Sequence, residues 1–234
     1  MMNSPDPRDT WKTSTRSSVG PKPEYSRESI VAAALHIADT EGLNAVSIRR
    51  VATEIGSGAA SLYRYLKSRE ELVELMIDSV SGEYVLETSQ ASAHEQLLDL
   101  ALQARRIMHR HRWLAPLLLT NPSMGPNALA YLNFALGALK PLKSSGSSKL
   151  QTVAMLTAIT SAFVQNELAT QTPSGQPLPH AEERLRYLVD EAHSGKYPEM
   201  LAVLKNLGPE ESNAESFRRV IITYLNGAGV HAQP

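Results

Sequence analysis

The chain has 234 residues, of which 42% are hydrophobic and 20% are charged, a composition typical of a folded globular protein. Its formal net charge is -1, so binding to nucleic acid requires a local cluster of Lys and Arg. The absence of cysteine excludes disulfides, thiol nucleophiles and Cys-ligated metal sites. Because no secretory signal opens the sequence and no run of about 18 apolar residues predicts a membrane span, we expect a cytoplasmic protein.

The first 25 residues predict a flexible arm, since they combine four prolines with polar and charged residues and show no apolar period. The basic residues of this arm leave two interpretations open, contact with a phosphate backbone or simple solvation. Ordered structure is expected to begin at Ser26, a preferred N-cap type followed by apolar residues at helical spacing. This first helix is predicted to run to about Thr40, and Gly42 is predicted to stop it.

Two short helices and a long one are predicted next. Ser47 caps an amphipathic helix that ends at Gly56-Ser57-Gly58, and a further helix runs from Ala59 to about Tyr65. Ser68 and Glu71 then form the Ser-x-x-Glu pattern of a capping box, which opens a helix predicted to reach about Thr88. A helix, a tight glycine-containing turn and a short second helix are the pattern of a helix-turn-helix.

Positive charge is concentrated in this segment. Between residues 44 and 69 the sequence has one acidic residue, Glu54, and five basic residues: Arg49, Arg50, Arg64, Lys67 and Arg69. A basic cluster that coincides with a helix-turn-helix predicts DNA binding, because Lys and Arg neutralise phosphates.

Everything beyond residue 90 is also predicted to be helical, since no alternation of period two occurs. Helices are expected from Ser92 to about His109, from Gly125 to about Lys140 and over about 149–170, with Ser144–Ser148 as a loop; three amphipathic segments follow, the last capped by Ser212 and Glu215. Residues 129–139 and 153–164 are apolar nearly all round and are predicted to be buried on every side. Small residues in the second fit either an interface between two bundles or packing within one subunit.

The predicted fold is therefore all-α, with an N-terminal three-helix helix-turn-helix DNA-binding domain followed by a larger helical bundle. The expected divisions are an arm (1–25), the helix-turn-helix domain (26–70), an effector-binding and dimerisation domain (71–226) and a tail (227–234).

Several segments resemble the TetR family of bacterial repressors over about residues 26–80: Ile30-Val31-Ala32-Ala33-Ala34, Glu41-Gly42-Leu43, Ser47-Ile48-Arg49-Arg50-Val51-Ala52 and 61–72. Downstream, Trp113-Leu114-Ala115 and Met124-Gly125-Pro126-Asn127-Ala128-Leu129 resemble the C-terminal domain of the tetracycline-repressor subgroup, as far as about Glu167. The resemblance implies a homodimer that binds an operator in double-stranded DNA and a small-molecule effector. Two residues depart from that subgroup, Val85 in place of a histidine and Arg112 in place of a proline.

The resemblance also implies which residues contact DNA. It places Arg49, Ala60, Ser61 and Tyr63 against base edges, with Ala59 on the same surface, and Ser47, Tyr65, Lys67 and Arg69 on phosphates. Arginine can chelate guanine, and a methyl group can contact that of thymine. Because Ala59 and Ala60 are small, specificity is expected to depend on Arg49 and on DNA shape. Leu62 and Leu66 are interpreted as core, and Arg64 as either solvated or near the DNA backbone.

The candidate effector pocket is a mixed set of aromatic, methionine, histidine and amide side chains able to line a cavity among helices. Its members are His109, Trp113, Met124, Tyr131, Phe134, Met155, Phe163, Gln165 and Asn166. Plain core packing is the alternative for each of them.

Other chemistry is not supported. Residues 56–61 approach a dinucleotide-binding fingerprint, but a charged helical stretch precedes them where a buried strand is required. His109 and His111 lie two apart, on different faces of a helix, so we predict no metal site there. No nucleophile–base pair is evident in the sequence, so we predict no catalytic residues and no cofactor, with a triad formed in space as the open alternative. The expected function is a ligand-responsive DNA-binding regulator and not an enzyme. The competing hypothesis is a helical interaction or enzymatic module whose basic face binds no DNA.

Overall fold

In the residues that the computed structural model describes, all regular secondary structure is helical, and no strand occurs. The predicted all-α fold is therefore confirmed. Apart from Trp11 and Tyr25, the predicted N-terminal arm lies outside the described residues, and so does Thr88. The described residues are Trp11, 25–87, 91–120, 123–170, 179–209 and 211–232.

The head, defined here as α1 to α3, has the predicted helix-turn-helix. Its helices are α1 (Arg27–Glu41), α2 (Ile48–Glu54) and α3 (Ala59–Leu62). The hydroxyls of Ser26 and Ser47 cap α1 and α2, as predicted, by accepting backbone N–H groups. Gly56 has φ +71° in the turn between α2 and α3, a conformation that favours glycine. The third helix is shorter than predicted, and hydrogen-bonded turns continue it to Leu66.

Helix α4 (Arg69–Ser81) connects the head to the rest of the molecule. The Ser68 hydroxyl caps it, but the predicted capping box is wrong, because the Glu71 carboxylate accepts the N–H of Lys67 at 2.6 Å instead of that of Ser68. The helix ends at Ser81, well before the predicted Thr88. Gly82 follows it and closes the last turn through its own N–H.

The body, defined here as α5 to α11, is a bundle in which α5 packs on α7, α8 and α11. Its helices are α5 (Ala93–Arg110), α6 (Leu114–Leu118), α7 (Pro126–Ala138), α8 (Gly146–Ala169), α9 (Pro179–His193), α10 (Pro198–Lys205) and α11 (Asn213–Gly227). Capping boxes at Ser92 and Ser212 are confirmed. The predicted loop 144–148 is shorter than expected, because Ser145 caps α8 and the helix begins at Gly146. No helix in the described ranges is long and apolar enough to span a membrane.

The prediction that two central helices are buried on every side is wrong. In α7 only Ala135 and Ala138 are buried, and Leu129 is 45% exposed. In α8, Ala154 and Met155 are also exposed. An apolar helix can line a cavity as well as fill a core, and residues of α7 and α8 line a cavity here.

The hydrophobic core does not stop where the head ends. One continuous cluster joins Ile37 and Val51 of the head to Met76 of α4 and to Trp113 and Val164 of the body. A second cluster lies within the body and the chain segments that directly precede and follow it. The division after residue 70 remains a prediction. Because the first cluster crosses it, a shift of α4 would disturb the packing of both parts.

Candidate DNA-binding face and ligand cavity

The outer surface of α2, α3 and the turn after them carries exposed side chains with the chemistry that DNA requires. These are Arg49, Ala60, Tyr63, Arg64 and Lys67. No ion pair joins the three cations to an acidic side chain within the described chain. Their charge is therefore available to a phosphate or a base edge. We call this surface the cationic face.

Two other basic residues of the segment are already engaged. Arg50 pairs with Glu41 at 2.6 Å and with Glu54 at 2.7 Å, and these contacts raise the pKa of its guanidinium. Arg69 donates to the carbonyls of Val46 at 2.7 Å and Leu43 at 2.9 Å. The charge of Arg50 is balanced by the two carboxylates, and the donors of Arg69 are occupied by the two carbonyls, so fewer guanidinium groups are free to contact DNA than the count of basic residues suggests.

The remaining predicted DNA-binding residues lie around the cationic face. The Ser47 hydroxyl accepts the N–H of Arg50 at 3.1 Å, so it already fixes the start of α2. Ala59 and Ser61 are half-buried, and Tyr65 packs against the core of the head. Leu62 and Leu66 are buried, which confirms their interpretation as core.

A cavity of about 580 Å³ lies between α4, α6, α7 and α8. None of the described side chains that line it carries a charge. The few polar groups are hydroxyls. The lining consists of Ile77, Val80, Ser81, Tyr84, Leu114, Leu118, Leu119, Ser123, Met124, Ala128, Leu129, Tyr131, Leu132, Leu150, Val153, Ala154, Met155, Thr157 and Ala158.

Two tyrosines face each other at the cavity wall. The rings of Tyr84 and Tyr131 lie 4.6 Å apart between centroids, at an angle of 44°. Both side chains are half-buried and line the cavity. Burial raises the pKa of both phenols, and a hydrogen bond with Thr157 partly offsets this for Tyr131. The phenols therefore stay neutral over the physiological pH range.

Only three of the nine residues predicted for the pocket line this cavity: Met124, Tyr131 and Met155. The wall formed by α4 was not predicted from the sequence, because the apolar stripe of Ile77 and Val80 looks the same whether it faces a core or a cavity. Their position on the helix joining the two predicted domains was the one available signal.

The other six residues lie elsewhere. His109 Nε2 lies 2.8 Å from Glu167, which also pairs with Arg105. Trp113 donates its Nε1–H to Asp39 of α1 at 2.7 Å, and so joins the body to the head. Three more are outside the lining: Phe134 packs on the second cluster, Phe163 stacks edge-on against Phe217, and Gln165 is half-buried. Asn166 is exposed.

His111 belongs to the same contact between head and body. Its Nδ1 lies 2.8 Å from Asp39 and its Nε2 lies 2.8 Å from Glu83, which also pairs with Arg110. The described residues contain no cluster of His, Asp and Glu arranged to hold a metal ion. We therefore assign His111 to the packing of α1 against the body.

Comparison with known protein families gives two matches. Residues 30–76 match the family described as "Bacterial regulatory proteins, tetR family". Residues 87–216 match the family described as "Tetracyclin repressor-like, C-terminal domain". The two matches cover most of the head, most of α4 and most of the body.

Individual proteins are similar to this chain over half of their own length or more. The HTH-type transcriptional repressor DrrR1 of Streptomyces coeruleorubidus is 30% identical over 86% of this chain and 77% of its own. An HTH-type transcriptional regulator of Saccharopolyspora erythraea is 34% identical over half of each chain. The structure of Streptomyces coelicolor ActR in complex with actinorhodin shares the fold, with a TM-score of 0.76, 24% identity and coverage of 89% of this chain and 97% of ActR.

Proposed function

The chain belongs to the TetR family of bacterial regulators, and we propose that it is a homodimeric repressor that an uncharged, largely apolar effector releases from an inverted-repeat operator. The membership makes it a ligand-responsive, DNA-binding transcriptional regulator, and the alternative of a helical module that binds no DNA is not favoured. The observation that supports DNA binding is the cationic face, where Arg49, Arg64 and Lys67 are exposed and unpaired within the described chain. Bacterial DNA lies in the cytoplasm, and we place the protein there.

The geometry of major-groove binding supports action as a dimer. One recognition helix reads one major groove, so two cationic faces are needed to reach successive grooves about 34 Å apart. A two-fold symmetric dimer then matches an inverted repeat. The similarity to DrrR1, described as a repressor, supports repression as the outcome of binding.

Enrichment of duplexes from random DNA by the purified full chain tests this proposal. We expect the enriched sequence to be an inverted repeat whose half-sites lie about one helical turn apart, or a multiple of it. Sedimentation of the free protein at micromolar concentration should give a dimer. A monomer, or enrichment of no sequence over the starting pool, would contradict the proposal.

The chemistry of the cavity supports an uncharged effector. An ion buried there would lose its hydration without gaining a counter-charge from the described lining, at a cost of several kcal/mol. Apolar surface is favoured instead, by about 25 cal/mol per Å² removed from water. Hydroxyls of Ser81, Ser123 and Thr157 can orient a few polar groups of such a molecule. ActR, which has the same fold, has been solved with a bound small molecule, and this supports a ligand role for the helical body.

Two fluorescent probes of similar shape test the effector class. We expect neutral phenylnaphthylamine to bind at least about tenfold more tightly than anionic anilinonaphthalene sulfonate, since one buried charge costs more than 1.4 kcal/mol. Binding of the neutral probe should not vary between about pH 6 and 9, because both phenols of the lining stay protonated there.

Filling the cavity shows whether the probe binds inside it. Ala158→Phe places a ring among the lining residues and should abolish binding of phenylnaphthylamine. The control is Ala202→Phe, the same change at an exposed position of α10. Equal affinity of both variants for the probe, or tighter binding of the anionic probe, would overturn the proposed effector class.

A further inference from the structure

We propose that Asp78 is the positioning residue that ties α4 to the start of α7, so that a molecule filling the cavity displaces the head through this link. The proposal rests on the proposed function of the cavity and specifies how its occupancy is communicated to the cationic face.

Asp78 takes the place of a missing helix cap. The N-cap of α7 is Gly125, which has no side chain to bind the first free N–H groups of the helix. The Asp78 carboxylate, from α4, accepts the N–H of Ala128 at 2.9 Å and the side-chain amide of Asn127 at 3.2 Å. The same amide donates to the Asp78 carbonyl at 3.1 Å. Three hydrogen bonds therefore join one turn of α4 to the first turn of α7.

The close approach of the two helices depends on glycine. A Cβ added at Gly125 would lie 2.3 Å from the Asp78 carboxyl carbon, and one at Gly82 would lie 3.2 Å from the Asn127 amide nitrogen. A side chain at Gly125 would therefore push α7 away from Asp78. The sequence at this junction permits a contact that any other residue at Gly125 would prevent.

The link is part of the cavity wall. Ala128 lines the cavity and is also the residue whose N–H binds Asp78. On the α4 side, Ile77 precedes Asp78 and lines the cavity, as does Ser81 one turn later. A molecule that separates α7 from α4 must pull on the Asp78 contacts or carry α4 with α7.

Carrying α4 is favoured because Asp78 is only 4% exposed. Burial raises the pKa of this carboxyl, and the hydrogen bonds from Ala128 and Asn127 oppose the shift. If α7 left alone, a buried carboxylate would keep its desolvation cost and lose its partners. The two helices are therefore expected to move together.

The opposite end of α4 is fixed to the head. The buried Glu71 pairs with Arg27 of α1 at 2.9 Å and accepts the N–H of Lys67 at 2.6 Å. Lys67 lies on the cationic face. A displacement of α4 at Asp78 is thus passed to α1 and to a residue that faces DNA, through contacts that are all present in one subunit.

Hydrogen exchange of the full-length protein, with and without saturating phenylnaphthylamine, tests the link and requires no operator. In the wild type we expect the probe to change amide protection at the start of α7, along α4 and in residues 47–66. Asp78 is not among the residues that line the cavity, so we expect Asp78→Ala to bind the probe. In that variant the change at α7 should persist, and the change in residues 47–66 should fall by at least about half. If that variant does not fold, Asn127→Ala replaces it in the experiment, because it removes two of the three hydrogen bonds without altering α4.

Ser212→Ala is the matched control, because it also removes a helix cap but lies at the start of α11, away from α4. It should transmit the probe's effect to the head as the wild type does. The proposal is overturned if Asp78→Ala transmits the full effect, if Ser212→Ala loses it equally, or if the wild-type head shows no change with the cavity full. DNA binding by the unliganded protein can stand under each of these outcomes, so failure of the link is distinct from failure of the regulator.

Discussion

Arg49 and Lys67 are both exposed and unpaired within the described chain, but they differ in what they can recognise. A guanidinium can bind two acceptors of one guanine, whereas an ammonium near the backbone meets phosphates of any sequence. We expect Arg49→Ala to weaken operator binding by about 1–3 kcal/mol and to relax preference at one base pair in each half-site. Lys67→Ala should weaken binding to all sequences alike. A panel of operators with single base-pair changes measures both effects.

The control for these variants is Lys196→Ala, an exposed lysine of the body between α9 and α10. It should leave every affinity unchanged. Equal losses across the whole panel for Arg49→Ala and Lys67→Ala would show that Arg49 does not contact a base.

Arg69 has a different expected role. The resemblance to the family places it on a phosphate, yet its guanidinium donates to the carbonyls of Val46 and Leu43, which lie just before α2. Arg69→Ala leaves those carbonyls without their charged donor, so we expect the free energy of unfolding to fall by about 1.5–3 kcal/mol. Urea denaturation followed by circular dichroism measures this.

Lys67→Ala serves as the comparison, because a surface substitution should change that free energy by less than about 0.5 kcal/mol. A variant of Arg69 that keeps its full stability and loses only DNA binding would instead favour a direct contact with phosphate.

At the scale of the elements, the features that could be predicted from the sequence are those that depend on neighbouring residues, such as helix caps. Ser26, Ser47, Ser92 and Ser212 cap helices as expected, because a cap and the N–H that it binds lie within three residues of each other. The cavity is decided by packing between distant segments. Ile77 has the same helical spacing as a core residue, and only the position of α7, some fifty residues later, leaves space beside it.

The junction of α4 and α7 gives a prediction of its own. Gly125→Ala would place a Cβ 2.3 Å from the Asp78 carboxyl carbon and 2.5 Å from the Trp11 ring, so the two helices must separate. We expect a loss of about 1–3 kcal/mol in the free energy of unfolding, as for other overpacked sites. Thermal or urea unfolding measures it.

Gly137→Ala, in the same helix, is the matched control. Nothing lies within 4 Å of a Cβ at Gly137, and alanine favours helix, so this change should raise stability by about 0.5–1 kcal/mol. Two variants of equal stability would contradict the close contact between Gly125 and Asp78.

At the scale of the whole molecule, the head and the body are joined by polar contacts that a sequence pattern could not predict. His111 lies between Asp39, 72 residues earlier, and Glu83, 28 residues earlier. Trp113, predicted as a pocket residue, binds the same Asp39. Contacts at such separations leave no periodic trace in a single sequence. They help to make the cationic face and the cavity parts of one connected structure.

The salt dependence of operator affinity tests the central claim, binding of DNA by the cationic face, most directly. Each phosphate contact releases counterion, so the logarithm of affinity should fall steeply and linearly with the logarithm of salt concentration. A dimer of Lys67→Ala has lost two such contacts, and its slope should be shallower than that of the wild type by about 1.8. An affinity that does not change with salt, or a slope that Lys67→Ala leaves unaltered, would contradict the account.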